Sequence, residues 1–263
     1  MTNEIKKRNI KDSVRDYYNA YREWRKVRSR KAKYERDFRR RLKFYSRFIK
    51  NGDLCFDIGA NMGNRTEVFL ALNATVVAVE PQEECLRILR DRYKDNPRLI
   101  LIDKGLDEIE GERKLFVSNA NTLSTMSDEW IKLGEKGRLF EGCTWSKKTI
   151  VRTTTLDALI KTYGVPAFCK IDVEGFEYSV LRGLSKPVNV ISFEFVPEFV
   201  ESAVNCIRYI ANLGKAEYNY SEGESMRLTL SNWVYPENII KILKNLPPGK
   251  GIVGDVYARF SMK

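Results

Sequence analysis

Residues 54–66 read LCFDIGANMGNRT, and the parsing of this string decides the fold. A short apolar run, Leu54 to Ile58, carries a carboxylate at Asp57 and passes into Gly59-Ala60-Asn61-Met62-Gly63 before helix-forming residues resume. Glycines at such a place let a strand turn tightly into a helix and let a ligand approach backbone amides at the helix start. Outward from this point, short apolar runs alternate with helix-period segments. Strands are expected at 54–58, 75–80, 98–102, 167–172, 189–195, 216–220 and 255–260, with helices at 64–72, 82–93, 155–163, 176–183, 198–213 and 236–245. The alternation predicts an α/β fold with a mostly parallel sheet covered by helices on both faces. Within 106–154, RKLFVS (113–118) and KTIVRT (148–153) read as an inserted strand pair around a polar segment with Trp130 and Trp145, the expected substrate region.

In an open parallel sheet, ligands bind beyond the carboxyl ends of the strands. A dinucleotide fingerprint needs Gly-x-Gly-x-x-Gly, but Asn61 stands where the second glycine would meet a pyrophosphate. Asp57, just before the turn, repels phosphate and tolerates a ligand with ammonium and sulfonium charges. S-adenosylmethionine is such a ligand, and NAD is not. The second strand ends in Glu80-Pro81, 23 residues after Asp57, where a carboxylate can accept from both ribose hydroxyls. The fourth delivers Lys170-Ile171-Asp172-Val173-Glu174-Gly175-Phe176-Glu177. Strand alternation sends Lys170 and Asp172 to one side, and Glu194 stands in the adjacent apolar strand. Buried carboxylates cost free energy unless paired or used, so Asp172, Glu174 and Glu194 at neighbouring strand ends point to a site. The competing reading is a salt-bridge network through Lys170 and Arg182.

Of 263 residues, 43% are hydrophobic and 31% charged, which fits a globular chain and excludes disorder. No apolar run approaches the ~20 residues of a membrane span, and MTNEIKKRNIK at the start lacks the apolar core of a secretory signal. Five scattered cysteines suggest neither a disulfide framework nor a zinc site, and the expected location is cytoplasmic, peripheral to the inner face of the membrane at most. The absence of histidine removes Ser-His-Asp and Cys-His catalysis and every histidine-ligated metal. The net charge of +11 is local: residues 1–50 hold 19 Lys and Arg against 6 Asp and Glu, leaving 27 against 29 in the remainder. Residues 1–51 therefore read as a basic extension of two amphipathic helices, about 12–30 and 33–50, ended by Asn51-Gly52 and followed by one catalytic domain over 52–263. Its aromatic stripe (Tyr17, Trp24, Phe38, Tyr45; Val14, Tyr21, Leu42, Ile49) packs on the main domain with a solvated Arg/Lys face; the sharper alternative is a platform for an anionic membrane surface or nucleic acid.

DLCFDIGANMGNRT, VEP, DKGLDEIEG, TTTLDALI and above all KIDVEGFEYSVLRG together resemble the FkbM-type methyltransferases, class I enzymes that use S-adenosylmethionine. The resemblance runs from about Gly52 to Phe260. It implies a Rossmann-like seven-stranded sheet in 3-2-1-4-5-7-6 order with one antiparallel strand, and O-methyl transfer to a hydroxyl of a sugar, glycan or related metabolite. On matching positions it implies that Asp57, Gly59, Ala60, Asn61 and Gly63 hold the methionine moiety, Glu80 and Pro81 the ribose, and Asp103, Gly105 and Leu106 the adenine. Asp172 and Glu174 fall on the family's acidic pair. With no histidine available, either serves as the expected general base, with Lys170 and Glu194 setting its pKa and hydrogen bonds. No metal is assigned; Mg²⁺ on the same carboxylates is the competing reading. RNA methylation through the basic helices is the runner-up function, and a silent cofactor-binding protein the third.

Overall fold

The computed structural model describes residues 31–136, 140, 142–248 and 252–260. The helix expected at 12–30 lies outside the described residues. The chain runs through helix α1, described over 31–45, then β1 (Leu54–Ile58), α2 (Asn64–Ala71), β2 (Thr75–Val79), α3 (Glu83–Tyr93) and β3 (Leu99–Ile102). The inserted region holds β4 (Gly105–Leu106), β5 (Gly111–Val117), α4 (Asp128–Lys136) and β6 (Lys147–Thr154). The second half is α5 (Leu156–Tyr163), β7 (Phe168–Ile171), α6 (Glu177–Arg182), β8 (Val190–Phe195), α7 (Val200–Leu213), β9 (Ala216–Glu222), α8 (Pro236–Lys244) and β10 (Gly254–Phe260).

The main sheet has the order β3-β2-β1-β7-β8-β10-β9, and β4-β6-β5 form a second, three-stranded sheet. Counted among themselves, the seven main strands therefore run 3-2-1-4-5-7-6. Strand β10 is antiparallel to both its neighbours, as the resemblance implies. Every expected strand and every expected helix inside the described catalytic region forms, with bounds shifted by a residue or two. Helix α4 was not anticipated: its stretch, DEWIKLGEK, is charged and surrounds a single buried tryptophan, Trp130.

The strands read as near-continuous apolar runs because both faces of the sheet are covered. On one face lie α5, α6, α7 and α8 over Ile171, Ile191, Phe193 and Val256. On the other, α1, the turn after it and α2 bring Phe44, Tyr45, Ile49 and Phe69 against Phe168 and Tyr257. Phe168 sits in the middle of this aromatic layer, its ring centroid 5.5 Å from Tyr45, 5.6 Å from Phe48 and 5.7 Å from Phe69. The second half of the basic segment thus belongs to the core of the catalytic unit, and a boundary at residue 51 does not separate two packing units. Helix α1 also stops at 45, short of Asn51-Gly52. Beyond it Ser46 Oγ donates to the Lys43 carbonyl and the Asp53 carboxylate accepts the Lys50 N–H at 2.7 Å, side-chain bonds that replace helical ones.

All parallel strands end on one edge, and the antiparallel β10 begins there. The register sets Asp57 opposite Lys170, Lys170 opposite Ser192, and Glu194 opposite Asp255. Phe168→Ala is expected to cost about 3–5 kcal/mol, the range for emptying a large aromatic site in a core, and a chain beginning at Asn51 is expected to lose cooperative unfolding. Thermal melts followed by near-ultraviolet circular dichroism check both.

Candidate active site

The turn after β1 and the turn after β7 meet. A Cβ at Gly59 would lie 1.9 Å from the Asp172 carbonyl oxygen, and Gly59 itself has φ 80°. Only a glycine lets these two strand ends close on each other. Between them opens a cleft of about 210 Å³, lined by Asp57, Gly59, Ala60, Asn61, Glu80, Pro81, Gly105, Leu106, Asp172 and Glu174. Ten of the fourteen residues expected at the site therefore share one cavity.

The other four stand elsewhere. Gly63 caps the start of α2 and faces Leu89 of α3. Asp103 is exposed and lines a neighbouring groove with Gln82, Glu83 and Arg152. Lys170 lies beneath the floor, fully buried, its Nζ 2.9 Å from Asp172 Oδ2 and 3.0 Å from Asp255 Oδ1. Glu194 borders a small cavity behind the cleft with Trp130 and Glu177. The salt-bridge network expected through Lys170 is real; Arg182 is not part of it and pairs with Glu108.

Glu80 is buried just past β2, with Oε2 accepting the Asn61 N–H and Oε1 the Gln82 N–H, both at 2.8 Å. Burial pushes its carboxyl up to about 7, against the pull of the two amides. The Gln82 side chain bonds to the same carboxyl, and two carboxylate oxygens with four lone-pair sites still leave room for a ligand donor. Asp57 accepts from the Thr66 hydroxyl, and burial raises its pKa as well.

The turn Asp172-Val173-Glu174-Gly175 is held from three sides. Glu177, at the start of α6, accepts the Val173 N–H at 3.1 Å and the Gly175 N–H at 3.2 Å. Thr125 Oγ1 donates to the Glu174 carbonyl at 2.6 Å. A Cβ at Gly175 would strike Trp130 at 2.6 Å. These contacts hold Glu174 at φ 55°, a left-handed conformation that costs a glutamate about 1 kcal/mol. One carboxylate oxygen from each of Asp172, Glu174 and Glu194 lies within 4.8 Å of the others. Burial and mutual repulsion push the Glu174 and Glu194 carboxyls well above the usual range, and Glu194 Oε2 is buried with no hydrogen-bond partner among the described residues. Burial opposes the Lys170 charge, but Asp172 and Asp255 outweigh it and keep the ammonium protonated.

A family model described as the FkbM methyltransferase domain matches residues 57–236. The chain belongs to the FkbM methyltransferase family. It is a methyltransferase, and S-adenosylmethionine is the cofactor that membership carries. The residues fit that cofactor: the turn is closed to a pyrophosphate by its bonded amides, and Glu80 offers buried acceptors. Among solved structures, the FkbM chain is similar to precorrin-6y C5,15-methyltransferase from Geobacter metallireducens at 12% identity and TM-score 0.44, covering 84% of this chain and 87% of that one. An O-methyltransferase from Bacillus cereus in complex with SAH has 13% identity and TM-score 0.43, covering 86% and 81%. An rRNA methylase from Streptococcus thermophilus has 12% and 0.38, covering 84% and 94%. No curated protein matches the chain.

The reading of the sequence quoted Glu177, Trp130 and Arg65 without giving them a role in the cleft, and missed Thr125, Asp255 and Glu224. Glu177 had a local signal, a carboxylate two residues beyond the glycine of the turn, and so had Arg65, two residues beyond Gly63. The others reach the site from distant segments. Because Glu177 is also raised to about 7, the folded protein binds a proton there between its unfolded pKa and about 7 that the unfolded chain does not. Glu80 adds to the same slope. Stability of the ligand-free protein is therefore expected to fall as pH rises from about 5 to about 7. Glu177→Gln is expected to flatten the slope, and melting temperatures across that pH range check it.

Proposed function

We propose that this FkbM methyltransferase methylates a hydroxyl oxygen of a sugar, glycan or related metabolite, with the Asp172–Glu174 pair taking the hydroxyl proton. The observation that carries the reading is the placement of two carboxylates on the wall of the cleft that also holds Glu80 and the glycine turn, one of them kept in a strained backbone conformation by three separate contacts. Strain of that kind persists only where the surroundings over-determine it.

When bound, S-adenosylmethionine supplies a methyl carbon already activated on a sulfonium. The chain's own work is positioning and proton transfer. Asp57 and the backbone of Gly59 to Asn61 hold the methionine end, Glu80 accepts from the ribose hydroxyls, and Gly105 and Leu106 flank the adenine. Lys170 Nζ engages Asp172 Oδ2, which leaves Asp172 Oδ1 and the Glu174 carboxylate for the acceptor. Its raised pKa makes the ionised Glu174 a stronger base than an ordinary glutamate. Vicinal hydroxyls match paired acceptors, which supports a sugar. The family assignment supports a small or glycan acceptor over RNA, and an Asp-Val-Glu-Gly turn supplies negative charge where a polyphosphate would lie.

A second reading, Mg²⁺ held by Asp172, Glu174 and Glu194, is favoured by their 4.8 Å grouping, since oxygen ligands suit that ion. Loss of activity in EDTA restored by Mg²⁺ selects it over the metal-free base. No helix among the described residues is long and apolar enough to cross a membrane. The acceptor's location falls to residues 1–50: Arg36, Arg39, Arg40, Lys43, Arg47 and Lys50 are all exposed, and among the described residues Asp37 pairs with Arg40 at 3.3 Å. The proposed partner is an anionic membrane surface on the cytoplasmic side.

Asp172→Asn and Glu174→Gln keep shape but lose proton acceptance, so at least one is expected to lower turnover about 10²-fold with cofactor still bound. Full rate in both rules out the base. The acid limb of the pH–rate profile is expected above the ordinary glutamate range, about 4.3. Mass spectrometry for one-methylene mass increments in glycans and RNA, with and without the gene, identifies the acceptor class. Glu80→Ala is expected to weaken S-adenosylhomocysteine by about 1–3 kcal/mol, and wild-type affinity to fall as pH drops below about 7, because a protonated Glu80 accepts one hydroxyl fewer. Calorimetry reads both. Co-sedimentation with anionic liposomes at low and high salt tests the basic face; indifference to both leaves it a solvated surface.

A further inference from the structure

The methionine end of S-adenosylmethionine is a zwitterion, and the cleft treats its two charges unequally. Asp57, Glu80, Asp172, Glu174 and Glu224 line the wall. They suit an ammonium and repel a carboxylate. The amides of the glycine turn do not supply the missing anion site, because each already has an acceptor. Gly59 and Ala60 N–H donate to the Val79 carbonyl at 2.9 and 3.0 Å, Asn61 N–H to Glu80 Oε2 at 2.8 Å, Met62 N–H to Asn61 Oδ1 at 2.7 Å, and Gly63 N–H to the Ala60 carbonyl at 2.8 Å. Two cations line the cleft, Lys104 and Arg65. Lys104 adjoins Gly105 and Leu106, past the end of β3. Arg65 is the second residue of α2, directly after the turn.

We propose that Arg65 binds the α-carboxylate of the cofactor and that Glu224 occupies the guanidinium as an internal surrogate until the cofactor displaces it. The proposal rests on the S-adenosylmethionine reading. The Arg65 side chain is 12% exposed, whereas its partner on the segment after β9 is 63% exposed. The pair is bidentate, with Nη1 3.1 Å from Glu224 Oε2 and Nη2 bonded to Oε1. Arg65 Nε is buried without a partner among the described residues, and the guanidinium carbon lies 5.9 Å from the centre of the Tyr45 ring. A buried guanidinium left alone is strongly unfavourable, so a ligand-free cleft draws in a surface carboxylate. Exchanging that carboxylate for the ligand's keeps Arg65 paired and returns Glu224 to water, where a carboxylate is best solvated. The first turn of α2, whose N-cap Gly63 makes no side-chain capping bond, adds its dipole to the same anion.

Calorimetry with S-adenosylhomocysteine and with 5′-methylthioadenosine, which lacks the amino-acid end, tests this on the full chain. Arg65→Gln is expected to weaken S-adenosylhomocysteine about tenfold or more, the scale of a charge-assisted pair, and to leave methylthioadenosine within about twofold. Glu224→Gln, at a side chain that is itself exposed, is expected to tighten S-adenosylhomocysteine severalfold and leave methylthioadenosine unchanged. Equal losses for the two ligands in Arg65→Gln would overturn the assignment, as would weaker S-adenosylhomocysteine binding in Glu224→Gln, which would make Glu224 a ligand of the ammonium. If the wild-type protein binds neither compound, the cofactor reading itself falls and takes the assignment with it.

Discussion

Lys170 carries an ammonium into the centre of the sheet, where water does not reach it, and the rest of the site is arranged around that charge. An isolated buried cation is untenable, so two carboxylates must stand within hydrogen-bonding distance. One is Asp172, at the end of the same strand. The other is Asp255, at the start of β10, 85 residues away in sequence and brought to the same edge only because β10 runs antiparallel. The ammonium therefore ties the fourth strand of the sheet to its last and holds Asp172 with one oxygen committed and the other available. Removing the lysine would leave two carboxylates facing each other beneath a third and a fourth, Glu174 and Glu194.

Packing supplies what charge alone does not. The acidic turn after β7 is closed below by Gly59, where a single methyl group would collide with the Asp172 carbonyl, and above by Trp130 of the inserted helix against Gly175. Glu177 ties down the amides inside the turn. The inserted region, separate in its small sheet, thereby has a structural task besides any role toward the acceptor. It clamps the strand end that carries the proposed base.

The charge pattern divides the labour in the molecule. The cleft gathers carboxylates, and burial raises the pKa values of three of them, Asp57, Glu80 and Glu174, an environment suited to a cationic ligand and to proton acceptance near neutrality. The positive charge lies along residues 31–50, where eight of the nine Lys and Arg are exposed, Arg41 being buried, against two Asp and Glu. The buried face of that same segment, Phe44, Tyr45 and Ile49, completes the aromatic layer over Phe168. One helix therefore serves the core with one side and solvent with the other, which is the amphipathic pattern read literally.

The sequence by itself determined the fold class and the turns at Asp57, Glu80 and Asp172, because each of those signals is local, while the strand order and the adenine-side Gly105 and Leu106 came through the family it resembles. A strand followed by a glycine turn, an acidic residue at the next strand end, and Asp172-Val-Glu-Gly each sit within a few residues of the backbone feature they serve. Only the tertiary structure decided that Lys170 lies under the floor and not in the cleft, that Gly63 and Asp103 face away, and that Asp255, Thr125, Trp130 and the Arg65–Glu224 pair converge on the site. Those outcomes depend on register between strands far apart in the chain and on where an inserted helix lands. A one-residue slip in register would send Lys170 to the other face, and no periodicity within a single segment records which partner it will meet.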